Sequence, residues 1–120
     1  MSKQAYIPKV ADWVRVHGFN DIKANIEGFQ TPITYGRQQD SEQFTPDVTG
    51  KQFDQESYFE VILKSSGAEA NHLLSKLKLL SQLAAVKGGK LYLMSPRGHR
   101  SYAKEVLAES NIVAEVINLP

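Results

Sequence analysis

The sequence predicts an α/β fold: a mixed central sheet flanked by helices, in the order α-β-β-β-α-β-α-β. Three observations predict it. Leucines at 73, 74, 77, 80 and 83 repeat at helical spacing between two extended, β-branched and aromatic segments, Ser57–Lys64 and Lys90–Met94. A second helical pattern, Ser101–Ser110, again precedes an extended segment, Ile112–Leu119, and strands joined through helices pair in parallel. The extended pieces before residue 64 are instead joined by short polar links, which suit antiparallel pairing. A chain of 120 residues fits one domain, 1–120, with enough length for one core.

The elements follow in order. Val10, Trp13 and Val14 share one face of a helix running from about Pro8 to His17, and Gly18 is its natural stop. Ile22 to Phe29 alternates, with Ile22, Ala24, Ile26 and Gly28 on one side, as a half-buried strand does. Ile33–Gly36 is a short second extended piece, Arg37–Phe44 a polar loop, and Thr45–Gly50 a further extended piece. Lys51–Glu56 is a polar connection into the Ser57–Lys64 strand. Ser66, with Glu69 three residues on, forms a capping box for a helix over Ala68–Val86, which Gly88-Gly89 ends. Lys90–Met94 is a strand, Ser95–Arg100 a loop, Ser101–Ser110 a helix and Ile112–Leu119 the last strand.

Composition excludes several classes of function. There is no cysteine, hence no disulfide framework, thiolate metal site or cysteine nucleophile. The N-terminus lacks a signal-peptide core, and the greasiest stretch, Leu77–Val86, is far short of the ~20 apolar residues that span a bilayer. A cytoplasmic protein with no membrane association is expected. The net charge of +1 points to no partner, but its distribution does. Residues 61–104 carry eight Lys/Arg against Glu69 alone, a block that attracts phosphate or simply solvates helix faces.

Pro46-Asp47 opens an extended piece, and the strand after it ends in Lys64 and leads into the long helix. In this order the chain resembles the PD-(D/E)XK nuclease superfamily, the restriction-endonuclease-like fold, over about residues 8–95. The resemblance implies that Asp47 is a metal ligand for Mg²⁺ and that Lys64 orients or activates the attacking water. Hydrolysis of a phosphodiester needs oxygen ligands for a hard cation beside a polarised water, and adjacent strands can supply them on one sheet face. The family glutamate belongs two residues before the lysine, where this chain has Ile62, which cannot ligate a metal. Three carboxylates stand as replacements: Glu60, on the same strand face as Lys64 but with its Cα ~7 Å along the strand; Glu69, one turn into the helix; and Glu27. The candidate catalytic set is therefore Asp47, Glu60 and Lys64. Each also has a plain structural role open to it: a turn cap, a cross-strand ion pair, a solvated strand end.

The loop Ser95-Pro96-Arg97-Gly98-His99-Arg100 joins a strand to a helix, where free amides, Arg and His suit an anion. Arg97, His99 and Arg100, with Lys87 and Lys90, form the candidate nucleic-acid-binding set, and Tyr92 and Tyr102 flank the loop for stacking or core packing. His17, His72 and His99 make no metal pattern. The expected function is nucleic-acid association with absent or weak metal-dependent hydrolysis. The alternatives are a protein–protein interaction or assembly module, for which the leucine-rich helix suggests a homodimer, and a small-molecule anion binder.

Overall fold

A computed structural model describes residues 3–36 and 42–120. The 3₁₀ turn Lys3–Ala5 leads into α1 (Ile7–Val16), β1 (Asn20–Ala24), β2 (Tyr35–Gly36), β3 (Gln43–Phe44), β4 (Val48–Gln52), β5 (Gln55–Val61), α2 (Gly67–Val86), β6 (Gly88–Ser95), α3 (Arg100–Glu109) and β7 (Glu115–Asn118). Five strands form the central sheet in the order β1-β4-β5-β6-β7. The first two pairings are antiparallel and the last two parallel, because α2 and α3 carry the chain back across the sheet between β5, β6 and β7. The fold is therefore α/β with a mixed central sheet.

The sheet is covered on both faces. Ile7, Val10, Ala11 and Val14 of α1 pack with Val48, Phe59, Val61 and Met94. On the other face, Leu73, Leu77, Leu80 and Ala84 of α2 and Ala103 and Val106 of α3 pack on Tyr58, Ile62, Leu91 and Leu93. β5 and the residue after it feed both clusters by alternation: Tyr58 and Ile62 pack with α2, and Phe59 and Val61 with α1. Tyr92 belongs to the α1 side, where its ring stacks on Phe59 with centroids 4.9 Å apart.

Several boundaries differ from the sequence expectation. The first strand stops at Ala24, not Phe29, because the Ala24 N–H turns to donate to the Gln30 carbonyl at 3.0 Å and the chain bends away. Gln43–Phe44, expected inside a loop, pairs with Tyr35–Gly36 as a small second sheet, so two short strands lie between the first and second strands of the main sheet. The remainder of that expected loop, 37–41, lies outside the described residues. Lys51–Glu56 is a tight hairpin rather than a connection: Gln52 pairs with Gln55 across Phe53 and Asp54, both at positive φ. At Ser66 no side-chain cap forms, so the capping box is absent. At the end of α1 the expected stop holds: Gly18 (φ +87°) donates to Arg15 O and Phe19 to Val14 O, a Schellman closure.

Candidate functional site

The antiparallel register of β4 and β5 pairs Val48 with Phe59 and so sets Asp47 beside Glu60 at the carboxyl end of β5. The two interlock through the backbone. The Asp47 N–H donates to Glu60 Oε1 at 2.9 Å, and the Val61 N–H donates to Asp47 Oδ2 at 2.8 Å. Both residues are buried, Asp47 at 3% exposure and Glu60 at 0%. Such carboxylates need counter-charges, and two lysines supply them.

Lys76 comes from α2. It lies among Leu73, Leu77 and Leu80 on the inward stripe, directly above the β5 face that carries Glu60. Its Nζ is 2.7 Å from Glu60 Oε2 and 3.9 Å from Asp47 Oδ1. Lys3 comes from the turn before α1, its Nζ 2.7 Å from Glu60 Oε2 and 3.0 Å from Asp47 Oδ2. Two carboxylates and two ammonium groups leave the cluster neutral. Burial, together with the charge of Glu60, pushes the Asp47 carboxyl up to about 6. Burial acts the same way on Glu60, but Lys3 and Lys76 outweigh it and hold that carboxyl below its ordinary value. Burial also opposes the charge on Lys3, yet Glu60 and Asp47 carry its ammonium well above its ordinary range.

The candidate catalytic residues are thus only partly gathered. Asp47 and Glu60 meet; Lys64 does not join them. β5 ends at Val61, and Lys64 lies exposed on the departing chain, its N–H donating to His99 Nδ1 at 2.9 Å. A neutral His99 therefore carries its proton on Nε2. Lys64 lines a cavity of about 380 Å³ beside the cluster, with Lys3, Ser65, Glu69, His72 and Lys76. Glu69 and Glu27 are both exposed, and neither makes a third carboxylate at the pair; among the described residues no group of three or more His, Cys, Asp or Glu gathers to hold a metal.

Asp47 and Glu60 have the chemistry of Mg²⁺ ligands, but three of their four oxygens are engaged at close range. Glu60 Oε1 and Asp47 Oδ2 accept backbone N–H groups, and Glu60 Oε2 accepts both ammonium groups. A divalent ion entering here meets two ammonium groups. The residues as arranged do not fit a metal ion.

The basic loop shares this edge of the sheet. The Leu119 N–H donates to Ser95 O at 2.9 Å and the Ser95 hydroxyl donates to Ile117 O at 3.2 Å, which anchors the loop's first residue to β7. Arg97 and Arg100 are exposed, and neither they nor Lys64 form an ion pair among the described residues. Lys87 and Lys90 are not brought to them. They flank the start of β6, ~20 Å away along an eight-residue strand. There Lys87 holds Glu56 at 2.9 Å and Lys90 lies 3.6 Å from Glu115. Tyr102 is half-buried and bonded to Ser65 at 3.0 Å, so it does not stand free beside the loop.

Sequence reasoning missed Lys3 and Lys76. Lys76 carried a signal: a lysine at an inward position of a leucine stripe faces an inward glutamate on the neighbouring strand. Lys3, on a short N-terminal turn, carried none. Among the described residues no helix is long and apolar enough to cross a membrane. Comparison with protein-family models, curated proteins and solved structures found no match.

Proposed function

We propose that this chain is a restriction-endonuclease-like domain that associates with nucleic acid through the sheet edge bearing Lys64, Arg97, His99 and Arg100, without metal-dependent hydrolysis. The observation that carries this reading is the placement of Lys64, Arg97 and Arg100, exposed and without ion pairs among the described residues, on the edge where Asp47 and Glu60 converge. Under this reading Asp47 corresponds to the family's Pro-Asp position. Lys64 corresponds to its lysine and Ile62 to its glutamate, and the carboxylate beside Asp47 is Glu60 instead. The exposed cations bind backbone phosphates, which favours shape over sequence.

Fluorescence anisotropy with labelled single- and double-stranded DNA and RNA tests this. Affinity is expected to fall steeply between about 50 and about 200 mM salt, and the Arg97→Ala/Arg100→Ala double substitution to reduce the log–log slope by about 2. No Mg²⁺- or Mn²⁺-dependent cleavage is expected. Absent binding, or binding indifferent to salt, refutes the reading; cleavage lost in Asp47→Ala refutes its non-hydrolytic part.

One observation favours an assembly module instead. At the opposite end of the sheet, Val86 and Val113 are 84% and 85% exposed, and beside them a groove of about 340 Å³ is lined by Ala84, Ala85, Leu91 and Ala114 together with Lys90 and Glu115. A partner held there leaves association nearly insensitive to salt.

A further inference from the structure

We infer that the open edge of β7 takes a basic, extended segment of another protein as a further strand of the central sheet. Whether or not the chain binds nucleic acid, three features carry this. First, β7 is the last strand of the sheet, and alternation fixes which of its main-chain groups are free. The Leu119 N–H donates to Ser95 O, so Ile117 and Glu115 also turn their N–H and C=O groups to β6, and Val116 and Asn118 turn theirs to the open side. Second, this edge has none of the features that keep an edge strand from pairing. β1, the opposite edge, is broken by an irregular register between Asn20 and Lys23, has Asp21 at φ +50°, and gives its Ala24 N–H to Gln30 O. The β6–β7 register runs without a shift, and Glu115–Asn118 contains no Pro, Lys or Arg. Third, the groove beside Val113 lies at the start of this strand, where an added strand can seat one apolar side chain.

The occupant follows from charge and alternation. Residues 105–120 carry Glu105, Glu109 and Glu115, all exposed, and no Lys or Arg. Lys90 reaches Glu115 at 3.6 Å, but the two side chains are 67% and 56% exposed, so the carboxylate stays open to a second cation. A second copy paired edge to edge brings two acidic stretches together, and like charges across a pair oppose it. A strand with Lys or Arg level with Glu115 meets the opposite charge. Its alternate residues, apolar, lie level with Val116, which is half-buried against the α2 and α3 core. Main-chain bonds to Val116 and Asn118 supply affinity, and the alternation of side chains supplies the choice of partner.

The test selects binders to the full chain from a library of short random peptides displayed on phage, then maps the recovered peptides by amide NMR. They are expected to lack Pro, to alternate Val, Ile or Thr with Lys or Arg, and to slow amide exchange at Val116 and Asn118 by at least about tenfold, leaving Glu115 and Ile117 unchanged. Val116→Pro removes an outward N–H and leaves the bonds to β6, so it should fold and weaken the peptides by about tenfold. Val113→Lys, at an exposed position, takes away the apolar wall of the groove and opposes a basic strand; it gives the same loss should the proline variant not fold. Nucleic-acid affinity of Val116→Pro is expected to equal that of wild type, so the two kinds of binding are read apart. Four results overturn the inference: no peptide recovered, recovered peptides that are acidic, peptides that bind both variants as they bind wild type, or a dimer of the chain itself that Val116→Pro abolishes.

Discussion

Glu60→Gln and Asp47→Asn each remove one charge from the same cluster, yet the geometry predicts unequal consequences. Both oxygens of Glu60 accept from donors: Oε1 from the Asp47 N–H, Oε2 from Lys3 and Lys76. A glutamine amide in either orientation sets its NH₂ against one of them. A buried donor then faces an NH₂ group where it had an oxygen, and about 3–5 kcal/mol of stability is lost. Asp47 differs. Its Oδ2 takes the close contacts, from the Val61 N–H and Lys3, while among the described residues Oδ1 has only Lys76 at 3.9 Å. An asparagine with its oxygen at the Oδ2 position keeps both close contacts. The charge it removes is an unfavourable one, since burial and the charge of Glu60 raise this carboxyl to about 6. Asp47→Asn should therefore be neutral or stabilising at pH about 7.5. The sign in pH follows. Between 3.8 and about 6 the folded chain holds a proton on Asp47 that the unfolded chain has released, so this group's contribution falls as pH rises through that window. Urea unfolding of wild type and both variants across that range checks it. Equal losses in the two variants, or no change in pH slope in Asp47→Asn, refute this account.

Three further outcomes are expected from unfolding measurements. A Cβ on Gly89 would lie 1.8 Å from the Glu56 carbonyl oxygen, so Gly89→Ala should force β6 from β5 and cost more than about 3 kcal/mol. Phe53 and Asp54 both sit at positive φ in the hairpin (56° and 63°), so replacing them with Asn-Gly should stabilise the fold by about 1 kcal/mol. Burial, with the Tyr35 hydroxyl at 3.2 Å, pushes the Tyr58 phenol far above its ordinary 10. The unfolded phenol ionises first, so stability falls as pH rises beyond about 10, and Tyr58→Phe should flatten that loss while costing about 1 kcal/mol at neutral pH.

What was legible in the sequence was what periodicity encodes. The leucine stripe of α2 buries Leu73, Leu77, Leu80 and Ala84, and the hydrophobic alternation from Tyr58 to Ile62 divides Tyr58 and Ile62 from Phe59 and Val61, as the two periods require. Local turn chemistry was less legible. The Phe53-Asp54 hairpin lacks the glycine that usually marks positive φ, and the alternation through Ile26 continues in a turn, where Ile26 still packs against the α1 core. Lys64 shows where the strand-parity rule stops. Glu60, Ile62 and Lys64 share a face only while the strand lasts, and β5 ends at Val61. Asp47 and Glu60 met because register, a property of pairing rather than of either strand, set them side by side. Lys3 is 57 residues from Glu60 in sequence, and no local pattern connects them.

A four-charge cluster is a costly way to hold a core together, since well-packed apolar side chains of similar volume often do as well or better. Its value must therefore lie in what charge specifies and packing does not. Asp47 and Glu60 extend the β4–β5 pairing one step past Val48–Phe59 through side chain to backbone bonds. A register slip by one residue breaks both bonds and turns Glu60 from Lys76. Lys76 in turn sets the rotation of α2 above the sheet. For these tasks one lysine suffices, because Lys76 alone reaches both carboxylates, at 2.7 and 3.9 Å. Lys3 then accounts for the remaining charge and for closing the open side of the pair. Of the two cations it is the more exposed, and its short turn lies outside the sheet. The two lysines are thus separable: Lys76→Met should disturb folding more than Lys3→Gln, because Lys76 is the more buried and is fixed by α2.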